Sequence, residues 1–347
     1  MKLGLFLDYA GKRLALPVET VQRAEQLGFD SVWTAEAYGS DAMTPLAFLA
    51  AHTERIRLGT AVAQVAGRPP TMCAMQAATV DELAGRGRFI LGLGLSGPQI
   101  VEGWYGQPWG RPNPRLRDYV TIVRKVFRRQ GPVSHDGPEI ALPYTGEGAM
   151  GVGKPLKSIL HTNPDIPIFL GTGNEANVKL TAELADGWIP MGFVPGMLEV
   201  YRPWLEEGFR RAGDGRRLAD LEIQAQAQVA ITDDVQAALD ALKPMTALYV
   251  GGMGHEKKNF HKDQMARRGF PEAAARIQEL FLAGLREEAV AAVPDEYLDQ
   301  GCLIGPKERI RERWKEWESS GASGLTLHTR DLEALELLAD LAGARDH

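Results

Sequence analysis

Apolar and polar positions along the chain change period in a repeating way. Residues 3–7 form a short apolar run. From Pro17 the spacing becomes helical, with Val18, Val21 and Ala24 on one face and Gly28 just past the end. The switch recurs. It predicts strands over residues 31–35, 56–62, 88–95, 167–170, 187–191, 221–231 and 325–328, with helices over 44–49, 72–83, 116–127, 175–185 and 197–211, one opened by Thr232-Asp233, one from Pro306 and one from Asp331. Parallel neighbours cannot be joined by a tight turn, so this alternation implies crossover helices. Eight strand–helix units close a (β/α)8 TIM barrel, an α/β fold. Residues 131–167 and 251–299 interrupt the count and are expected to be insertions in one domain spanning 1–347. The first is rich in Gly and Pro and reads as a functional loop such as a lid. The second is polar and largely helical, with Lys257, Lys258 and Lys262 read as a solvated surface.

The run from Arg88 to Pro98 is the most informative. It is a buried strand ending in glycines and Ser96, and Gly92, Gly94 and Gly97 spell G-x-G-x-x-G. A dinucleotide fingerprint requires a helix at once and an acidic strand end about 20 residues later. Here Pro98 and Gly103 intervene, and the next periodic segment is a helix. The glycines therefore mark a packing turn or a place where something approaches the backbone closely.

Composition narrows the function. With 347 residues, 44% hydrophobic and 24% charged, the chain can bury a large core. A formal charge of -6 argues against a nucleic-acid partner, no apolar run is long enough for a membrane span, and two cysteines make no disulfide framework. A cytoplasmic protein is expected. Barrel sites lie at the C-terminal strand ends, which here carry Asp8, Glu36, Gln64, Ser96, Gly97, Thr172, Gly173, Gly192, Phe193 and His328. That set is poor in metal ligands. His135, His161, His255 and His261 read as solvent-facing loop residues, and Cys73 as a buried small hydrophobe. Gly171-Thr172-Gly173-Asn174, at a strand end before a helix, suits a phosphate through free N–H groups and the threonine hydroxyl, or else is an ordinary turn with an Asn cap.

Five segments carry a family resemblance: Leu27-Gly28-Phe29-Asp30-Ser31-Val32-Trp33, Arg57-Leu58-Gly59-Thr60-Ala61-Val62, Gly87-Arg88-Phe89-Ile90-Leu91-Gly92-Leu93-Gly94, Ser96-Gly97-Pro98-Gln99 with Val101-Glu102-Gly103-Trp104, and Ala185-Asp186-Gly187-Trp188. In this order they resemble the luciferase-like superfamily of flavin and deazaflavin barrel oxidoreductases, and within it the actinobacterial branch that depends on coenzyme F420. The resemblance implies a cis peptide between Ala61 and Val62 behind the cofactor ring. It also implies that Glu36, Gln64, Gly94, Ser96, Gly97 and Gly171 to Asn174 line the deazaflavin and its phosphate, with Gly192 and Phe193 as the alternative phosphate site. It implies hydride transfer to or from a small organic substrate, and a homodimer. Proton donors would come from Glu36, Asp8, Tyr9 and Tyr105. Sugar-phosphate dehydrogenases of the superfamily carry a catalytic His after the acidic residue of strand two, and Ala37 stands there in this chain. Two alternatives remain: an FMN-dependent two-component monooxygenase, and a deazaflavin- or flavin-binding protein without turnover.

Overall fold

In the computed structural model, which describes residues 1–8, 12–253 and 259–344, eight parallel strands form a closed ring. They are Lys2–Phe6, Ser31–Thr34, Arg57–Thr60, Phe89–Gly94, Ile168–Thr172, Gly187–Pro190, Glu222–Ile231 and Gly324–His328, called strands one to eight. Each pairs with its successor, and strand eight returns to strand one from Lys2↔Gly324 to Leu5↔Leu327. This is the TIM barrel that the alternation predicts. Tyr9, His255, Lys257 and Lys258 lie outside the described residues.

Local chemistry sets the helices. Pro70 and Pro112 occupy first helical positions of Pro70–Leu83 and Pro112–Arg128, where a missing N–H costs nothing. Asn174 and Asp331 cap Glu175–Leu184 and Leu332–Leu341 through side-chain oxygens. Leu116, Tyr119, Val120, Val123 and Phe127 recur at helical spacing and are buried. They belong to the main core, between outward-facing strand side chains and the helices. Trp33, Ile90, Phe169 and Ile189 fill the barrel interior. Gly59 and Gly187 face those rings, and a Cβ on either would collide with Trp33 or Phe169.

Two features differ from the pattern-based expectation. Cys302–Gly305 is a further parallel strand, paired with strand seven from Gln228↔Cys302 to Ile231↔Gly305. Strand seven is ten residues long, and strand six covers one of its edges only at Glu222 and Ile223; the extra strand pairs with that same edge further on, opposite strand eight. The helix after strand seven starts at Val235, capped by Asp234 rather than Thr232 or Asp233. Residues 235–304 build a satellite core of their own around Met265, Ile277 and Leu280.

At the N-terminal end of the barrel, Arg57 joins strands three and seven. Its guanidinium bonds Asp30 and Glu222, and Lys2 Nζ lies 2.9 Å from Glu222. Burial alone would raise the Glu222 pKa, but Arg57 and Lys2 outweigh it and hold the carboxyl below the ordinary glutamate range. A depressed carboxyl contributes stability that is present above its unfolded pKa and lost as pH falls through its folded value. Replacing Arg57 by Met takes the shared guanidinium from two partly buried carboxylates and leaves Lys2 as their cation, and urea unfolding at neutral pH should show a loss of about 2–4 kcal/mol. The difference from wild type should shrink as pH falls below the ordinary glutamate range and Glu222 takes up its proton in both proteins. A pH-independent difference would mean that packing, not charge, carries the effect.

Candidate functional site

A cavity of about 360 Å³ opens at the C-terminal ends of strands two to six, within the size range of small-molecule sites. Its floor is made by the chain after strand three. The Ala61–Val62 peptide is cis, and the backbone steps inward over strand four. Glycine makes the room: a Cβ on Gly92 would collide with the Thr60 carbonyl, and Cβ atoms on Gly94 and Gly171 would run into the Val62 side chain. Thr60 Oγ1 locks the step, donating to Gly92 O at 2.7 Å and accepting from Gly92 N at 2.9 Å. The G-x-G of strand four thus serves close packing, with Gly92 and Gly94 on the interior face two residues apart. Gly94 lies behind Val62 rather than in the cavity wall.

Glu36 stands at the end of strand two and is fully engaged. Oε1 accepts from Gln64 N at 2.7 Å and Arg68 Nη1 at 2.8 Å; Oε2 accepts from Ala42 N at 2.9 Å and Arg68 Nη2 at 2.7 Å. Four donors aimed at two oxygens leave no place for a proton on this carboxylate, so its geometry is that of a brace rather than a proton donor. The brace joins the ends of strands two and three, and Gln64 Nε2 completes it by donating to Glu36 O at 2.8 Å. Gln64 Oε1 is left buried without a partner. Behind Arg68, the Tyr119 hydroxyl donates to the Arg68 carbonyl, and burial pushes the neighbouring Cys73 thiol up to about 11.

The turn after strand five is partly committed. Thr181 Oγ1 donates to Asn177 O at 2.8 Å, so the Thr172 hydroxyl, 2.8 Å from it, gives its proton to Thr181 and is not free for an anion. Asn174 Oδ1 accepts from Asn177 N, which keeps the capping role. What the turn offers a ligand is the first-turn N–H groups of Glu175–Leu184 and the Asn174 amide. Ser96, at φ 60°, holds a left-handed backbone that serine rarely adopts, just before Gly97 and Pro98.

Glu36, Ala61, Val62, Gln64, Ser96, Gly97, Gly171, Thr172, Gly173 and Asn174 come together in the wall. Other expected residues do not. Asp8 is exposed and pairs with Arg330 at 3.2 Å. Tyr105 packs beside Gly67, its hydroxyl 3.4 Å from Ala37 O, with its pKa raised by burial and then by Glu36. Phe193 is buried edge-on against Trp188 in the main core, and the Gly192 carbonyl is taken by Gln264. The apolar surroundings that bury Phe193 remove it from any ligand. Residues 131–167 do not cover the mouth: residues 154–160 line a separate groove against Pro70–Leu83. The missing wall comes from Met253, Phe260 and His261 of the second insertion and from Tyr249 just before it. His261 is therefore not solvent-facing, and its ring meets Tyr249 edge-on with centroids 4.6 Å apart. His135 likewise is partly buried, 3.1 Å from Asp118. The signal for the insertion wall is aromatic residues within an otherwise polar stretch. Among the described residues no cluster of His, Cys, Asp or Glu is placed to hold a metal.

The sequence model of the luciferase-like monooxygenase family matches residues 1–324. The chain belongs to this family. A protein of Mycobacterium tuberculosis (strain H37Rv), provisionally named a coenzyme F420-dependent oxidoreductase, is 48% identical over 343 residues, which are 98% of this chain and 99% of that one. Among solved structures, the coenzyme F420 dependent tetrahydromethanopterin reductase from Methanopyrus kandleri superposes with a TM-score of 0.76 at 23% identity, covering 97% of each chain. An F420-dependent secondary alcohol dehydrogenase in complex with an F420–acetone adduct does so with 0.74 at 18%, covering 99% of this chain and 98% of that one. At these identities the two structures establish a shared fold.

The brace makes a discriminating prediction. Glu36→Ala would leave Arg68 as a buried cation without its partner and should cost about 3–5 kcal/mol in urea unfolding. Glu36→Gln, which keeps an acceptor, should lie between. A Glu36→Gln protein as stable as wild type would remove the bracing role and return Glu36 to proton transfer.

Proposed function

We propose that this chain is a coenzyme F420-dependent oxidoreductase that exchanges a hydride with a small organic substrate. The observation that carries it is the 48% identity, along essentially the full length of both chains, to the M. tuberculosis protein that bears that name. The cavity suits the cofactor. A deazaflavin ring needs a flat apolar backing and an acceptor for its ring N–H, and the site supplies Val62 and the unpartnered Gln64 Oε1. The phosphate needs donors, which the turn at Gly173 and Asn174 supplies from backbone and amide. When bound, the deazaflavin supplies hydride transfer at C5. The protein's part would be to bind, orient and exclude water: Val62 would back the ring, the brace holds Val62's neighbours, and Tyr249, Met253 and Phe260 would close the apolar side.

We infer a homodimer as the assembly. Met72, Met75, Leu156 and Ile159 are exposed apolar side chains, and Met75 and residues 155–160 share a groove of about 540 Å³. Large apolar patches on soluble proteins mark association. Size-exclusion chromatography with light scattering should give twice the chain mass, and Ile159→Asp should give the monomer.

Titration with coenzyme F420 and, separately, FMN tests the cofactor. Coenzyme F420 should bind more tightly; the reverse order would favour the flavin monooxygenase reading. Gly173→Val should weaken coenzyme F420 at least about tenfold, or roughly 1.4 kcal/mol, with the fold kept. The reason is space: Gly173 is not in a left-handed conformation, and a Cβ there already meets Met191 at 3.2 Å. Unchanged affinity in the folded variant would place the phosphate elsewhere.

A further inference from the structure

We propose that His261 is the residue that exchanges the substrate's proton, and that the substrate couple is an alcohol and its carbonyl compound. This rests on the deazaflavin reading above. Three side chains in the described cavity wall can titrate: Glu36, Tyr249 and His261. Glu36 is saturated by its four donors. The His261 ring, among the described residues, makes a ring contact with Tyr249 and no hydrogen bond.

The position of His261 is built. It lies in the first turn of Phe260–Arg267, whose N-terminus is fixed by Asn259: Oδ1 accepts from His261 N and Lys262 N, and Nδ2 donates to Val250 O at 2.6 Å. One turn on, Gln264 Nε2 donates to Gly192 O at 2.6 Å, and then Arg267 Nη1 donates to Gly173 O at 2.9 Å. Residues 261, 264 and 267 recur at a spacing of three, so one helix stripe grips the ends of strands five and six and carries the imidazole into the same cavity. Burial pushes the ring down to about 4, so it is neutral at physiological pH, with one nitrogen able to accept a proton. Glu36, neutralised by Arg68, is the charged side chain in the shared wall; Tyr249 faces the ring, and Lys262 and Asp263 flank it on the helix.

In the oxidising direction the alcohol O–H bond breaks and its proton passes to the ring nitrogen. The O–H electron pair becomes the second C–O bond, and the carbon's hydrogen leaves with its bonding pair to the deazaflavin. Reduction is the reverse. An alkene couple would need a proton delivered to carbon, whereas a neutral imidazole is suited to an O–H partner.

The test uses the full-length protein as wild type, His261→Gln and His261→Ala, each checked by melting, with coenzyme F420 and with cyclohexanol and cyclohexanone as the probe couple. Coenzyme titration examines the cofactor reading by itself. Affinities within about threefold in all three proteins leave it standing; a wild type that does not bind removes it, and the role of His261 with it. With oxidised coenzyme saturating, cyclohexanol should move the ring 15N resonances of His261 in histidine-labelled wild type, whether or not it is turned over. Where it is turned over, kcat should fall at least about a hundredfold in both variants with KM little changed. Wild-type kcat should also decline below about pH 5, as a ring with a pKa of about 4 becomes protonated, and this limb should vanish in His261→Gln. Bound coenzyme with unmoved His261 resonances, or variants that keep wild-type kcat, would overturn the proposal.

Discussion

The inward step of the chain at Thr60, Ala61 and Val62 is the constraint on which the site depends. A closed barrel of eight strands fills its interior with side chains, and here Trp33 and Phe169 do so lower down. Near the mouth, strand four contributes no side chains inward, because Gly92 and Gly94 face that way. The space they leave is taken by the backbone of strand three's continuation and by Val62, with Gly171 yielding from the other side. The step lies between two fixed points: Thr60, bonded twice to Gly92, and Gln64, held by Glu36. The floor of the cavity is rigid because both ends of the step are tied.

A second consequence concerns the charges around the site. Glu36 and Arg68 are both largely buried, and each satisfies the other. Their pairing ties the carboxylate at the end of strand two to the chain beyond strand three. The insertion after strand seven brings a further titratable side chain, the His261 imidazole, into the same cavity. The insertion is anchored to the barrel at the ends of strands five and six, where Arg267 holds Gly173 O and Gln264 holds Gly192 O.

Much of this was legible in the residues. The alternation of apolar runs and helical spacing carried the eight-strand barrel, because period two and period 3.6 differ over every segment. The glycines of strand four could be recognised as sites of close approach, though not what approaches them, since the Gly92 contact with Thr60 spans strands. Cys302–Gly305 stayed hidden because a four-residue apolar run before Pro306 resembles a linker; only the length of strand seven demands a partner. The Thr172 hydroxyl looked free because Thr181, which takes it, lies nine residues away on a helix. His261 was obscured by its polar neighbours, and only the tertiary position of its helix turns it inward.

The central claim is that the deazaflavin ring rests on the face made by Val62. Methyl NMR tests it most directly, with Val62 assigned by substitution and coenzyme F420 added to saturation. The account predicts upfield ring-current shifts of both Val62 methyl groups that saturate with binding, while Val229, on the strand-seven side of the barrel, is unmoved. Saturable coenzyme binding that leaves the Val62 methyl groups in place would contradict it.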